Sequence, residues 1–127
     1  MGSYLKTTAY LVAILFFNAT TPGLAVDYEI VPANEAIHYV GELATVCGTI
    51  VDTRYSVKSR GRPTYLNFEQ PYPDNLFTAV VWGEHRKNFD YPPEKLKGKQ
   101  VCVYGMVSLH KKKARMKLVL PKQVISR

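Results

Sequence analysis

Two groups of cations are the residues best placed for chemistry. One is the run His110-Lys111-Lys112-Lys113-Ala114-Arg115, and the other is Arg54, Lys58, Arg60 and Arg62. Like charges set this close repel one another and add nothing to a core, so they stay in solvent or meet an anion. No acid occurs between Tyr55 and Tyr65 or between Gly105 and Arg127, so neither group has a local counter-charge. Their chemistry is neutralisation of an anionic polymer or surface: nucleic acid, acidic polysaccharide or lipid headgroups. Flat side chains follow in the chain near the second group, at Tyr55, Tyr65 and Trp82, and Asn67 offers an amide.

Catalytic alternatives are thin. Asp52, Glu69 and Asp74 are scattered acids, a poor spacing for a metal. His38, His85 and His110 stand alone, no Ser/His/Asp or Cys/His arrangement stands out, and no second Cys/His pair has ligand spacing. The residues call for neither a metal nor a cofactor.

The elements that position these groups read as strands. Val101, Val103, Gly105, Val107 and Leu109 alternate before the basic tip, and Met116, Leu118 and Leu120 alternate after it, the period of half-buried strands joined by a tight turn. Leu43 to Tyr55 is a further strand, with Gly48 marking an expected bulge or bend. Thr64 to Glu69 alternates, with Leu66 and Phe68 on one face and Tyr65 and Asn67 on the other. Leu76 to Trp82 is the third, with Phe77, Ala79 and Val81 inward and Thr78, Val80 and Trp82 outward. Residues 84–97 have helical character, and Pro92-Pro93-Glu94-Lys95-Leu96 suits a short proline-started helix. Residues 56–63 form a polar, basic loop, and residues 70–75 a proline turn.

The chain has 127 residues and a net charge of +7. Lys6, an apolar stretch from Ala9 to Phe17 and the small residues of Gly23-Leu24-Ala25 form the pattern of a secretory signal peptide. The apolar centre is too short to span a bilayer of about 30 Å as a helix. Cleavage after Ala25 would leave 26–42 as an N-terminal leader and 43–127 as one domain, exported to the periplasm or medium and without a stable membrane anchor. Export makes a disulfide permissible. Cys47 and Cys102 sit in predicted strands with Val46 and Val101 inward. A cross-strand disulfide and two free thiols both stay open.

Five strands with one helix between the third and fourth is the order of the OB-fold, an all-β Greek-key barrel. Residues 44–124 resemble OB domains of the tRNA-anticodon-like type. The resemblance is carried by Val46-Cys47-Gly48-Thr49-Ile50-Val51, by Gly98-Lys99-Gln100-Val101-Cys102-Val103-Tyr104-Gly105 and by Lys117-Leu118-Val119-Leu120-Pro121-Lys122-Gln123-Val124. The piece Ser59-Arg60-Gly61-Arg62-Pro63-Thr64-Tyr65-Leu66-Asn67-Phe68 resembles small exported bacterial OB proteins. The resemblance implies binding on the face of strands two and three, walled by the loops between strands one and two and between strands four and five. Eight of the sixteen cations after residue 25 lie on those loops: Arg54, Lys58, Arg60, Arg62, Lys111, Lys112, Lys113 and Arg115.

The expected function is therefore non-enzymatic binding of nucleic acid, single-stranded in preference. The loop cations would hold phosphates, Tyr65, Trp82 and Tyr55 would meet bases, and Asn67 would reach a base edge. An exported OB module for an oligosaccharide or a protein is the alternative, and a thermonuclease-like enzyme using Asp52, Glu69 and Asp74 a lesser one. Trp82 as a barrel-end cover, Tyr65 as an ordinary sheet residue and the lysine run as a solubilising turn are the plain readings of the same residues.

Overall fold

A computed structural model describes residues 29–127, so the predicted signal peptide lies outside the described residues. Seven strands form in chain order: β1 (Ile30–Pro32), β2 (Leu43–Tyr55), β3 (Thr64–Phe68), β4 (Phe77–Val81), β5 (Gln100–His110), β6 (Lys113–Lys117) and β7 (Val124–Ser126). Hydrogen bonding runs β2-β3-β4-β6-β5, and β5 pairs back with β2, which closes a five-stranded barrel. Every barrel contact is antiparallel except β4 with β6. This is the predicted OB barrel, with β2 to β6 as its strands one to five.

The alternating residues fill the barrel as their period requires. Ile50, Leu66, Phe68, Phe77, Ala79, Val81, Val101, Val103, Val107 and Met116 are all fully buried. Phe68 and Phe77 meet edge to face, their ring centroids 5.1 Å apart. Burying one such side chain contributes about 1.5–3 kcal/mol. Cys47 and Cys102 are direct register partners of β2 and β5 and form a disulfide, which decides between the two alternatives the sequence left open.

Four details differ from the sequence reading. Residues 30–39, read as part of a leader, pack onto the barrel: β1 pairs in parallel with β2, and Val31, Ala33 and Ala36 enter the core. The irregularity in β2 lies between Ile50 and Asp52, not at Gly48. Gly48 is needed instead for close approach, because a Cβ there would stand 3.2 Å from both Ala33 Cβ and the Phe68 ring. The helical region between the third and fourth barrel strands is two short 3-10 helices, Gly83–Asn88 and Pro93–Leu96, the second begun by proline as expected. The final barrel strand ends at Lys117. Leu118 still drops into the core, but Gln123 accepts from the Val119 and Leu120 N–H groups and turns the chain toward β7, which pairs with β5.

Candidate nucleic-acid interface

Register fixes what the outer face of β3, β4 and β6 presents. One row across the strands is Arg54, Tyr65, Val80 and Lys117, in which Val80 is fully buried. The next is Asp52, Asn67, Thr78 and Arg115. Along β6, Ala114 and Met116 are buried, so alternation turns Lys113, Arg115 and Lys117 outward on one side. The lysine run therefore divides. Lys111 and Lys112 are the turn, whereas Lys113 and Arg115 belong to the barrel wall with Lys117, which the sequence reading missed. Its signal is the alternation Lys113-Ala114-Arg115-Met116-Lys117 itself.

Tyr65 occupies the middle of this face. Arg54 is its neighbour on β2, and the Arg115 guanidinium carbon lies 5.9 Å from its ring centroid, within cation–π range. Burial beside the sheet lowers the Arg115 pKa from its ordinary value, and the guanidinium stays charged. Among the described residues the ion pairs are Arg86–Glu94 and His85–Glu84. No cation of this face or its loops takes part in one.

The two basic loops stand at opposite ends of the face. Residues 56–63 join β2 to β3 beside the end of β4. Ser56 donates its N–H to Pro63, Arg62 to Ser59, and Gly83 to the Gly61 carbonyl, which ties the loop to the chain leaving β4. Lys58, Arg60 and Arg62 are exposed on it. Trp82 is extended at φ −72°, so it continues the outward series Thr78, Val80, Trp82. Its ring lies on Gly61, where an added Cβ would be 2.9 Å from Cε3, and Gly61 itself has φ +78°. The glycine thus serves a close approach rather than loop flexibility. Trp82 is half-buried, so it both packs on the loop and borders the face.

The other end is the tip between β5 and β6. His110 pairs with Lys113, leaving Lys111 and Lys112 as a two-residue turn at φ 49° and 68°. Left-handed backbone at both central positions is a type I′ turn, which favours Asn-Gly, and lysines hold it under strain. Arg62 in the other loop is also left-handed, at φ 45°. Burial lowers the His110 pKa, and the Arg115 and Lys111 charges lower it further, a sign of the positive potential at the tip. Beside the tip is Tyr72, 71% exposed, with the Lys113 ammonium 5.9 Å from its ring centroid and bonded to the Pro73 carbonyl. This exposed aromatic was also missed, because residues 70–75 read only as a proline turn.

Two predicted site residues are engaged elsewhere. Tyr55 pairs with Thr64 and so points to the inner side, where the Arg86 guanidinium stacks on its ring at 3.7 Å. Arg86 also donates to Thr64 Oγ1 and to Glu94, at 2.6 and 2.8 Å, closing the barrel end. Asn67 is 4% exposed. Its Nδ2 donates to Asp52, and its Oδ1 accepts from Asn75 Nδ2 and Thr78 Oγ1, so its amide is used within the fold. The acids considered for a nuclease are separated in the same way. Asp52 holds Asn67 and the Tyr72 N–H, whereas Glu69 accepts from the Thr49 N–H. Among the described residues no three of His, Cys, Asp and Glu converge as metal ligands.

Comparison with known proteins supports the fold. A solved structure described as an aspartyl-tRNA synthetase from Leishmania major Friedlin is similar over 80% of this chain and 21% of its own, with a TM-score of 0.51 and 13% identity. The chain thus spans about a fifth of that protein's length, and the likeness is one of fold. No protein-family model matches the chain, and no curated protein matches it. Barrel and neighbour together fit an OB-fold.

Proposed function

We propose that the chain is an exported, non-enzymatic protein that binds single-stranded nucleic acid across the outer face of β3, β4 and β6. The observation that carries this reading is Tyr65 set among Arg54, Arg115 and Lys117, cations without carboxylate partners, on the outer side of the barrel. A single strand needs cations along its backbone and flat groups for its bases, and this face has both. Trp82 at one end and Tyr72 at the other extend the stacking surface, and Lys113, Arg115 and Lys117 run between them. An aspartyl-tRNA synthetase acts on tRNA, so the likeness of fold supports the ligand class. The Cys47–Cys102 disulfide supports export, because such bonds persist in oxidising compartments.

The test is a salt-dependent titration of the chain with a labelled oligothymidine of about 12 nucleotides, a length within the range of one OB barrel. Affinity is expected to fall steeply with salt. Replacing Lys113, Arg115 and Lys117 by alanine is expected to reduce the log–log slope by about 2, at about 0.7 per lost phosphate contact. Tyr65→Ala is expected to weaken binding by about 1–3 kcal/mol. An unchanged slope would remove the face from the account. Binding of heparin but not of oligothymidine would favour the oligosaccharide reading. Cleavage of the label in the presence of calcium would overturn the non-enzymatic part.

A further inference from the structure

The two sulfurs of the disulfide have different surroundings. β1 pairs with β2 as far as Cys47, and the pairing of β2 with β3 begins at Ile50, so Gly48 and Thr49 lie between two strand ends. A surface depression opens there, its lining including Cys47, Gly48, Thr49, Glu69, Gln100 and Arg127. Cys47 belongs to this lining and Cys102 does not. Cys102 has a cation beside it instead: Arg127 Nη1 lies 3.9 Å from Cys102 Sγ. The Arg127 N–H donates to the Gln100 carbonyl at 2.9 Å, which holds the residue on β5. Arg127 takes part in no ion pair among the described residues, and the Glu69 carboxylate in the same depression accepts from the Thr49 N–H. Both cysteines are 7% exposed, so the opening and the charge, rather than exposure, distinguish them.

We infer that the disulfide is a thiol-exchange site of fixed polarity, at which a small thiol attacks Cys47 from the depression and Cys102 departs. In the first step the incoming thiolate forms a bond to Cys47 Sγ while the Cys47–Cys102 bond breaks. The electron pair of that bond leaves on Cys102 Sγ as a thiolate beside the Arg127 guanidinium. Exchange is faster when the leaving thiolate is the more stable one, and an adjacent cation stabilises it. In the second step another molecule of the thiol attacks the sulfur of the adduct, and Cys47 leaves. Two thiols are thereby oxidised to their disulfide, the protein disulfide is reduced, and the two thiol protons pass through solvent to the two cysteines. The fold holds the bond closed, so exchange runs forward with the thiol in excess, and the geometry decides which sulfur is attacked.

The test treats the oxidised protein with excess 2-mercaptoethanol, an uncharged probe that neither Arg127 nor Glu69 selects. Samples quenched early with N-ethylmaleimide are mapped by peptide mass spectrometry, and the chain has no third cysteine to confuse the map. The mercaptoethanol adduct is expected on Cys47 and the maleimide on Cys102. The reverse pattern, or an even mixture, would overturn the proposal. The rate is expected to be first order in thiol and constant in urea below the unfolding transition. A rate that climbs with urea there would put the reaction in the unfolded chain and overturn it equally. Arg127→Met, verified as folded by circular dichroism, is expected to slow the first step about two- to threefold, the size of effect one solvated charge at this distance can exert. A rate unchanged or raised by that substitution would remove Arg127 from the site. None of these measurements involves nucleic acid, so they stand or fall apart from the binding reading.

Discussion

Single residues decide what each predicted contact does. Tyr55, Tyr65 and Trp82 are equal as letters, yet the fold separates them. Tyr65 is flanked by cations on the open face, Trp82 leans on Gly61, and Tyr55 is closed off by Arg86. Parity along β2 would have assigned Tyr55 inward, since it is one residue past Arg54. No local pattern announces that Arg86, on a 3-10 turn, reaches back to cover it. The Arg86–Glu94 pair has a consequence in acid. The hydrogen bond from Arg86 holds the Glu94 carboxyl below its ordinary pKa, with burial opposing and the Glu94 backbone N–H and the Arg86 charge assisting. The unfolded chain therefore binds this proton at higher pH than the folded one. The pair's contribution is full above the ordinary carboxylate range and is lost as pH falls through the lowered value. Urea midpoints at neutral and acidic pH should show Glu94→Gln less stable than the wild type at neutral pH and the two converging in acid.

At the scale of elements, the strands were legible because their burial alternates. The run from Leu43 to Tyr55 matches β2 end to end, and the run from Thr64 agrees with β3 to within a residue. The elements that escaped notice, β1 and β7, have three residues each. Three residues carry too little periodicity to read, and both are fixed by pairing with a long strand already formed. The tip between β5 and β6 was legible as a turn, but its division into turn and wall needed the register. Its two left-handed lysines yield a prediction at this scale. Replacing Lys111-Lys112 by Asn-Gly relieves strain of about 1 kcal/mol or more, so the thermal midpoint should rise. Oligonucleotide affinity should fall at the same time, as two cations leave the tip. A variant unchanged in both respects would show that the strained turn serves neither.

For the molecule as a whole, the fold class followed from the order of strands, and the closure of β5 on β2 sets the two loops at opposite ends of one face. The disulfide was only half legible. Two outward cysteines on separate strands permit a bond, and only the register makes Cys47 and Cys102 partners. With a sequence separation of 55, its removal is expected to lower stability by roughly 4 kcal/mol on a chain-entropy account. Thermal melts of the Cys47→Ala, Cys102→Ala double variant check this, and its oligonucleotide affinity should persist below the lowered midpoint, since the bond lies away from the cationic face. The central claim is that this face holds single-stranded nucleic acid, and Trp82, the chain's one tryptophan, reports on it directly. In a titration with unlabelled oligothymidine at low salt, the account predicts saturable quenching of Trp82 fluorescence that high salt reverses and Tyr65→Ala weakens. Fluorescence that stays constant while a labelled copy of the same oligonucleotide binds, or no binding at low salt, would contradict it.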